Sequence, residues 1–159
     1  DVCSSDLQYG TNISIARIFN TYGPRMEVND GRVISNFFVQ AIKNIPITVY
    51  GNGDHSRSFC YIDDLVNALI KLMKSNLSEP VNLGNPNEVS ILELAEEIKE
   101  ISGSCSDIVF SDLPLDDPLK RKPDIEKAKK LLKWEPQISR EDGLLKTYEY
   151  YQKLIEHSN

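Results

Sequence analysis

The sequence predicts an α/β protein, on three observations. The stretch Ile13-Ser14-Ile15-Ala16-Arg17-Ile18-Phe19 is rich in branched apolar residues with few polar interruptions. A strand reads this way when both its faces are covered in a parallel sheet. The run stops at Asn20, and Gly23-Pro24 then breaks regular structure, because proline lacks an N–H and glycine tolerates unusual dihedrals. Segments of helical and of strand period follow one another along the rest of the chain. In open α/β sheets, ligands bind beyond the carboxyl ends of the strands. Asn20 and Thr21 stand at such an end and offer an amide and a hydroxyl. An ordinary turn after a core strand fits the same residues, and both readings stay open at this point.

After a polar loop from Met26 to Gly31, apolar residues Val33, Phe37, Phe38, Ala41 and Ile42 recur at helical spacing and predict a helix over about 32–44. Ile45 to Tyr50 is β-branched and aromatic and is bounded by Gly51-Asn52-Gly53-Asp54, a strand and a turn. A second strand, about 57–62, alternates Arg57, Phe59 and Tyr61 against Ser58, Cys60 and Ile62. Asp63 suits the N-cap of the next helix and Asp64 its positive end. Leu65, Leu69, Leu72 and Met73 supply that helix's apolar stripe.

Val81-Asn82-Leu83 is a short strand, and Gly84-Asn85-Pro86-Asn87 turns the chain. Ser90 with Glu93 predicts a capping box, ahead of a helix burying Ile91, Leu94, Ala95, Ile98 and Ile101. Gly103 suits its C-terminal cap. Ile108-Val109-Phe110 is a further strand. Asp112 to Pro123 is a long polar loop, of a length often functional in a compact domain. Asp124 caps a basic helix to about Lys133, and Trp134-Glu135-Pro136 ends it. Ser139 caps a last helix carrying Leu144, Tyr148, Tyr151, Leu154 and Ile155.

The 159 residues suit one domain. With 40% apolar residues the chain can supply a core. A net charge of −6 argues against a nucleic-acid binder. An anionic small ligand needs only local positive charge, which Arg25, Arg32, Arg57 and Lys120-Arg121-Lys122 can provide. The three cysteines, Cys3, Cys60 and Cys105, form no Cys-x-x-Cys pair, so a disulfide framework is not expected and a reducing compartment is the default. The two histidines, His55 and His157, lie far apart, and no metal-ligand cluster is read. No apolar run approaches the roughly 18–20 residues of a membrane span.

Six stretches in order carry a resemblance: Arg-Ile-Phe-Asn-Thr-Tyr-Gly-Pro-Arg-Met (17–26), Asn-Asp-Gly-Arg-Val-Ile-Ser-Asn-Phe (29–37), Ile-Thr-Val-Tyr-Gly (47–51), Arg-Ser-Phe-Cys-Tyr-Ile-Asp-Asp-Leu (57–65), Val-Asn-Leu-Gly-Asn-Pro (81–86) and Arg-Lys-Pro-Asp-Ile (121–125). Together they resemble the UDP-glucuronate decarboxylases of the extended short-chain dehydrogenase/reductase superfamily, from about Gln8 to about Ile155. Strand-Asn-Thr-Tyr-Gly-Pro and Tyr-Ile-Asp-Asp-Leu mark the superfamily, whereas Arg-Lys-Pro-Asp-Ile after an Asp-Asp-Pro loop points to the decarboxylase branch. The resemblance implies the C-terminal part of a Rossmann-type reductase. Residues 8–25 would hold its last strand and switch-point loop. Residues 26–159 would form the substrate-binding domain, with about 57–84 packing back on the Rossmann part. The family's Gly-rich cofactor turn and its Tyr-x-x-x-Lys catalytic pair do not occur in this sequence. No catalytic residue is therefore expected here beyond an assisting role for Arg121, and the chain alone is expected to be inactive. Asp1 to Leu7 fits neither the family nor the pattern that follows, and is expected to be a non-native, adapter-derived segment joined at about Gln8.

The implied reaction oxidises the sugar of UDP-glucuronate at C4 with NAD, releases carbon dioxide and returns the hydride, giving UDP-xylose. The cofactor does the hard step while the protein orients and polarises. The implied UDP-sugar contacts are Asn20, Asn36, Thr48, Tyr50, Arg57 and Arg121. Thr21 and Arg32 are implied to face NAD. Thr48-Val49-Tyr50 matches the segment that contacts uracil, largely through backbone groups. Asn36 reads equally well as an exposed polar helix position. Arg57 follows a Gly-rich turn and opens a strand, and its planar donors suit phosphate oxygens. Arg121 is implied to engage the substrate's phosphate or carboxylate, whereas Lys120 and Lys122 read as a solvated basic run. Glu27 stands where relatives often carry His, which leaves a cofactor contact there unsupported. Cys60 is expected to be packed, His55 a surface polar group, and Phe59, Tyr61 and Trp134 core. A homodimer and a cytoplasmic location are expected, or the Golgi or ER lumen if a preceding segment carries an anchor. A 4,6-dehydratase or 4-epimerase of nucleotide sugars and a non-catalytic nucleotide-sugar-binding module are the alternatives.

Overall fold

The computed structural model describes residues 12–112 and 120–156, with Lys120 and Arg121 described in backbone only. The expected adapter segment 1–7, Cys3, His157 and most of the 112–123 loop lie outside the described residues. Strand β1 (Ala16–Ile18) runs parallel to β6 (Val81–Leu83), and β2 (Thr21–Tyr22) parallel to β5 (Cys60–Tyr61). Strand β3 (Ile47–Tyr50) runs parallel to β8 (Ile108–Ser111). Strand β4 (Ser56–Ser58) is central in a three-stranded sheet, antiparallel to β7 (Glu88–Ser90) and parallel to β9 (Lys120–Arg121). The helices are α1 (Val33–Ile42), α2 (Ile62–Met73), α3 (Ile91–Ser102) and α4 (Arg140–Glu156), with a π-helical turn at Ala128–Leu132. The α/β class is as the sequence predicts. No described helix is long and apolar enough to cross a membrane.

Two apolar clusters hold these elements. The larger joins α1 through Phe37, Phe38 and Ala41, β3 through Ile47 and Val49, α3 through Leu94 and Ile98, and α4 through Leu144 and Tyr151. The smaller joins Cys60, Leu65, Ala68 and Leu72 to Val81, Leu83, Ile125, Leu132 and Trp134. The local signals behave as read. Ser90 and Glu93 close a reciprocal capping box, and Gly103 takes a left-handed φ of 60° at the end of α3. The Ser139 hydroxyl accepts from the Asp142 N–H at 3.0 Å at the head of α4.

Several expectations are corrected. The strand at Ile13–Phe19 is not covered on both faces: Ile15 is 37% and Ile18 54% exposed. β1 has one strand neighbour among the described residues, β6, whose Val81 and Leu83 are the buried side of the pair. The strand expected at 57–62 is two, because the chain leaves β4 at Phe59 and pairs next with β2. Helix α2 then starts at Ile62, with extended Tyr61 in the cap position, so Asp63 does not cap it. Met73 and Leu154, expected in apolar stripes, are 74% and 37% exposed. On α2 the buried side is Leu65, Ala68 and Leu72. The basic helix before Trp134 winds instead as the π-helical turn.

Asp64 has a role that its sequence position does not reveal. It is buried, and its Oδ2 accepts from the Gln137 N–H at 3.0 Å and the Ile138 N–H at 2.9 Å. The Asp64 carbonyl also accepts from the Trp134 indole N–H at 3.1 Å. One residue at the head of α2 thus fastens the segment that leads into α4.

Candidate functional site

A cavity of about 560 Å³ opens beyond β1, between α1, β3 and the start of β4. Asn20, Thr21, Arg32, Asn36, Thr48, Tyr50 and Arg57 all line it. These are seven of the eight residues singled out by the sequence. The side chain of the eighth, Arg121, lies outside the described residues. Its backbone is the register partner of Arg57 on the neighbouring strand.

Each lining group is positioned by a local device. The Asn20 carbonyl accepts from the Cys60 N–H at 2.9 Å, which ties the end of β1 to β5. Its side-chain amide has no partner among the described residues. The Thr21 hydroxyl instead donates to the Phe19 carbonyl at 2.9 Å, the local bond that an ordinary turn would use. Gly23 completes the turn with a φ of +153°, where an added Cβ would run into the Ile62 side chain. Arg32 occupies the N-cap position of α1, its side chain 67% exposed and its Nε 3.5 Å from Asp30. Asn36, one turn on, donates to the Gly31 carbonyl at 3.2 Å.

Gln40 lies one further turn along the same face, and its Oε1 accepts from the Thr48 N–H at 3.1 Å. It lines the cavity although it was not singled out. The i, i+4 spacing from Asn36 was the available signal. Tyr50 ends β3, half exposed at the rim. Arg57 is 7% exposed, and its Nη1 donates to the Ser56 carbonyl at 2.9 Å. The strands on either side of β4 fix its backbone.

The floor is apolar, with Ile34, Phe37, Phe59 and Tyr22. The Tyr22 phenol donates to the Arg140 carbonyl at 3.2 Å. Burial drives it well above its ordinary range, with the Arg140 guanidinium opposing the shift, so it stays a fixed donor. Burial likewise pushes the Cys60 thiol up to about 12, as suits a packed residue and not a nucleophile. His55 corrects an expectation: it is not a surface group but is 9% exposed and lines the cavity. Phe59 is buried as expected, yet it too reaches the cavity wall.

Among the described residues the lining carries two arginines and no carboxylate, on a chain whose net charge is −6. Such a cavity favours an anion. Convergent amides and hydroxyls, an apolar floor and aromatic walls give it the makings of a small-molecule site.

The chain is 55% identical over 150 residues to UDP-glucuronic acid decarboxylase 1 of Xenopus tropicalis, covering 94% of this chain and 36% of that protein. It therefore spans well under half the length of that relative. Among solved structures it resembles the UDP-glucose 4-epimerase of Thermotoga maritima with UDP-glucose. The TM-score is 0.89 at 30% identity, covering 94% of this chain and 49% of the other. It also resembles the UDP-glucuronic acid 4-epimerase of Bacillus cereus in complex with UDP-glucuronic acid and NAD. There the TM-score is 0.87 at 28% identity, covering 96% and 49%. The profile of the NAD dependent epimerase/dehydratase family matches residues 2–84, a segment that includes all seven predicted residues lining the cavity. More than half of the 159 residues match that profile, and the chain belongs to the NAD dependent epimerase/dehydratase family.

Proposed function

We propose that the protein converts UDP-glucuronate to UDP-xylose and carbon dioxide, and that this cavity holds the UDP-sugar. The observation that carries the reading is the convergence of Asn20, Asn36, Thr48, Tyr50 and Arg57 on one cavity whose described lining holds no carboxylate. The high identity to a UDP-glucuronic acid decarboxylase supports the same choice. In this reading Arg57 binds the diphosphate, because a guanidinium offers paired planar donors to phosphate oxygens. Asn20 orients the sugar or its phosphate through its amide. Thr48 and Tyr50 form the uracil edge. Arg121, in register beside Arg57, engages the substrate's phosphate or carboxylate and assists loss of carbon dioxide.

A nicotinamide cofactor, when bound, supplies the hydride acceptance that makes the sugar acid a β-keto acid and the return of that hydride afterwards. Thr21 and Arg32, a hydroxyl and an exposed guanidinium lining the same cavity, fit one edge of such a cofactor. Residues 8–25 then end a nucleotide-binding sheet and 26–159 form the substrate domain, with about 57–84 packed back on the first. The separate apolar cluster that joins Ala16 to Leu65, Val81 and Leu83 supports that division.

The 159 residues alone are inactive in this reading, and the full-length enzyme is a homodimer. The test is product analysis of the full-length protein with UDP-glucuronate and NAD. Released carbon dioxide and a UDP-pentose are expected. A retained hexuronate, epimerised at C4, overturns the decarboxylase assignment in favour of an epimerase. Tight binding without turnover would leave a non-catalytic nucleotide-sugar module.

A further inference from the structure

His55 is held hard. The turn before it needs Gly53, which has a φ of +80° and whose added Cβ would lie 2.8 Å from the Leu92 Cβ. The Gly53 carbonyl accepts from the Leu92 N–H at 3.2 Å and the His55 carbonyl from the Ile91 N–H at 3.0 Å, so the start of α3 anchors this backbone. His55 lines the cavity, but neither imidazole nitrogen has a hydrogen-bond partner, and each exposes less than 1 Å². They are the only such buried side-chain atoms among the described residues. Burying an imidazole unpaired costs free energy with no return in the fold itself. The 9% exposure that His55 retains therefore lies on atoms other than its two side-chain nitrogens. A half-turn about χ2 exchanges ring nitrogens with ring carbons in the same volume. Such a half-turn is the motion by which a nitrogen would be presented to the cavity.

His55 immediately precedes β4, which holds Arg57 two positions on, and both line the cavity. An imidazole N–H in the same lining as an arginine, with no carboxylate among the described lining residues, is matched to an anionic oxygen. We infer that His55 is a ligand-contacting residue of this cavity, its imidazole turning to donate to the phosphate portion of a nucleoside diphosphate alongside Arg57. The inference rests on the UDP-sugar reading of the cavity.

Calorimetric titration of the full-length protein with UDP, and NMR titration with uridine, test it on wild type, His55→Leu and His55→Gln. For His55→Leu, UDP is expected to bind about tenfold more weakly while uridine is unchanged. The thermal midpoint of the ligand-free Leu variant should not fall, since Leu removes the buried unpaired nitrogens. His55→Gln, which keeps a donor, should regain most of the UDP affinity. A Leu variant that binds UDP as wild type does overturns this inference alone. Equal losses for UDP and uridine, with a lowered midpoint and no rescue by Gln, overturn it in favour of a packing role. A wild type that binds no UDP overturns it together with the UDP-sugar reading.

Discussion

Arg57 and Arg121 are register partners on adjacent parallel strands, β4 and β9. Sixty-odd residues of chain separate them, and two separate sequence motifs carry them. The sheet brings the backbones of the two arginines side by side. For Arg57, which lines the cavity, the expected consequence is direct. Arg57→Ala should weaken UDP-glucuronate binding roughly ten- to hundredfold, the range for a charge-assisted hydrogen bond. Arg57→Lys should recover only part of it, because an ammonium lacks the paired planar donors. Calorimetric titration of the full-length protein, with thermal midpoints as the control for folding, gives both values.

Asp64 is expected to matter for stability and not for ligand binding. Its carboxylate takes two backbone N–H groups from Gln137 and Ile138. Asp64→Ala strands both donors in a part-buried setting and should cost about 2–4 kcal/mol. Denaturant titration reads this as a lowered midpoint. An unchanged midpoint would show that the 134–138 segment is held by its apolar contacts alone.

Gly143→Ala should destabilise, against its helix propensity. Alanine in a helix interior is ordinarily better than glycine by about 1 kcal/mol. Here an added Cβ meets the Tyr22 hydroxyl, and lies 2.9 Å from the Tyr61 ring. α4 would have to shift off the floor of the cavity, an overpacking cost of about 1–3 kcal/mol. A raised thermal midpoint would contradict the packing described.

Glu93 makes stability depend on pH in a defined direction. The Ser90 N–H, and then its hydroxyl, hold the Glu93 carboxyl below its ordinary 4.5. A carboxyl depressed in the fold stabilises it above the unfolded pKa, and that contribution is lost as pH falls through the folded value. Glu93→Gln should therefore flatten the unfolding free energy between about pH 5 and pH 3 relative to wild type, and leave its slope above pH 6 unchanged.

Much of this was legible because it is local. The Ser90–Glu93 box, the Gly103 cap and the Ser139 cap each involve residues within a few positions. The cavity residues from Asn20 to Arg57 were legible for a different reason: their motifs stand together in one segment and resemble a family. Gln40 belongs to no motif, although its spacing from Asn36 announces it. Asp63 has the side-chain chemistry of a cap but does not occupy the cap position. The break at Phe59 moved the helix start to Ile62 and left Asp63 and Asp64 in the first turn.

By itself the sequence determined the α/β class, most element types, the family likeness and seven residues of one cavity. Class and elements follow because period, caps and turns are settled by neighbours along the chain, and the seven residues follow from motifs that resemble a family. The tertiary structure decided which faces are buried and which groups find partners. Ile18 is exposed because of where β1 sits, Asp64 is satisfied by amides more than seventy residues away, and the His55 nitrogens are buried without a partner. Burial and hydrogen-bond partnership depend on chain that is distant in sequence, and no local pattern encodes them.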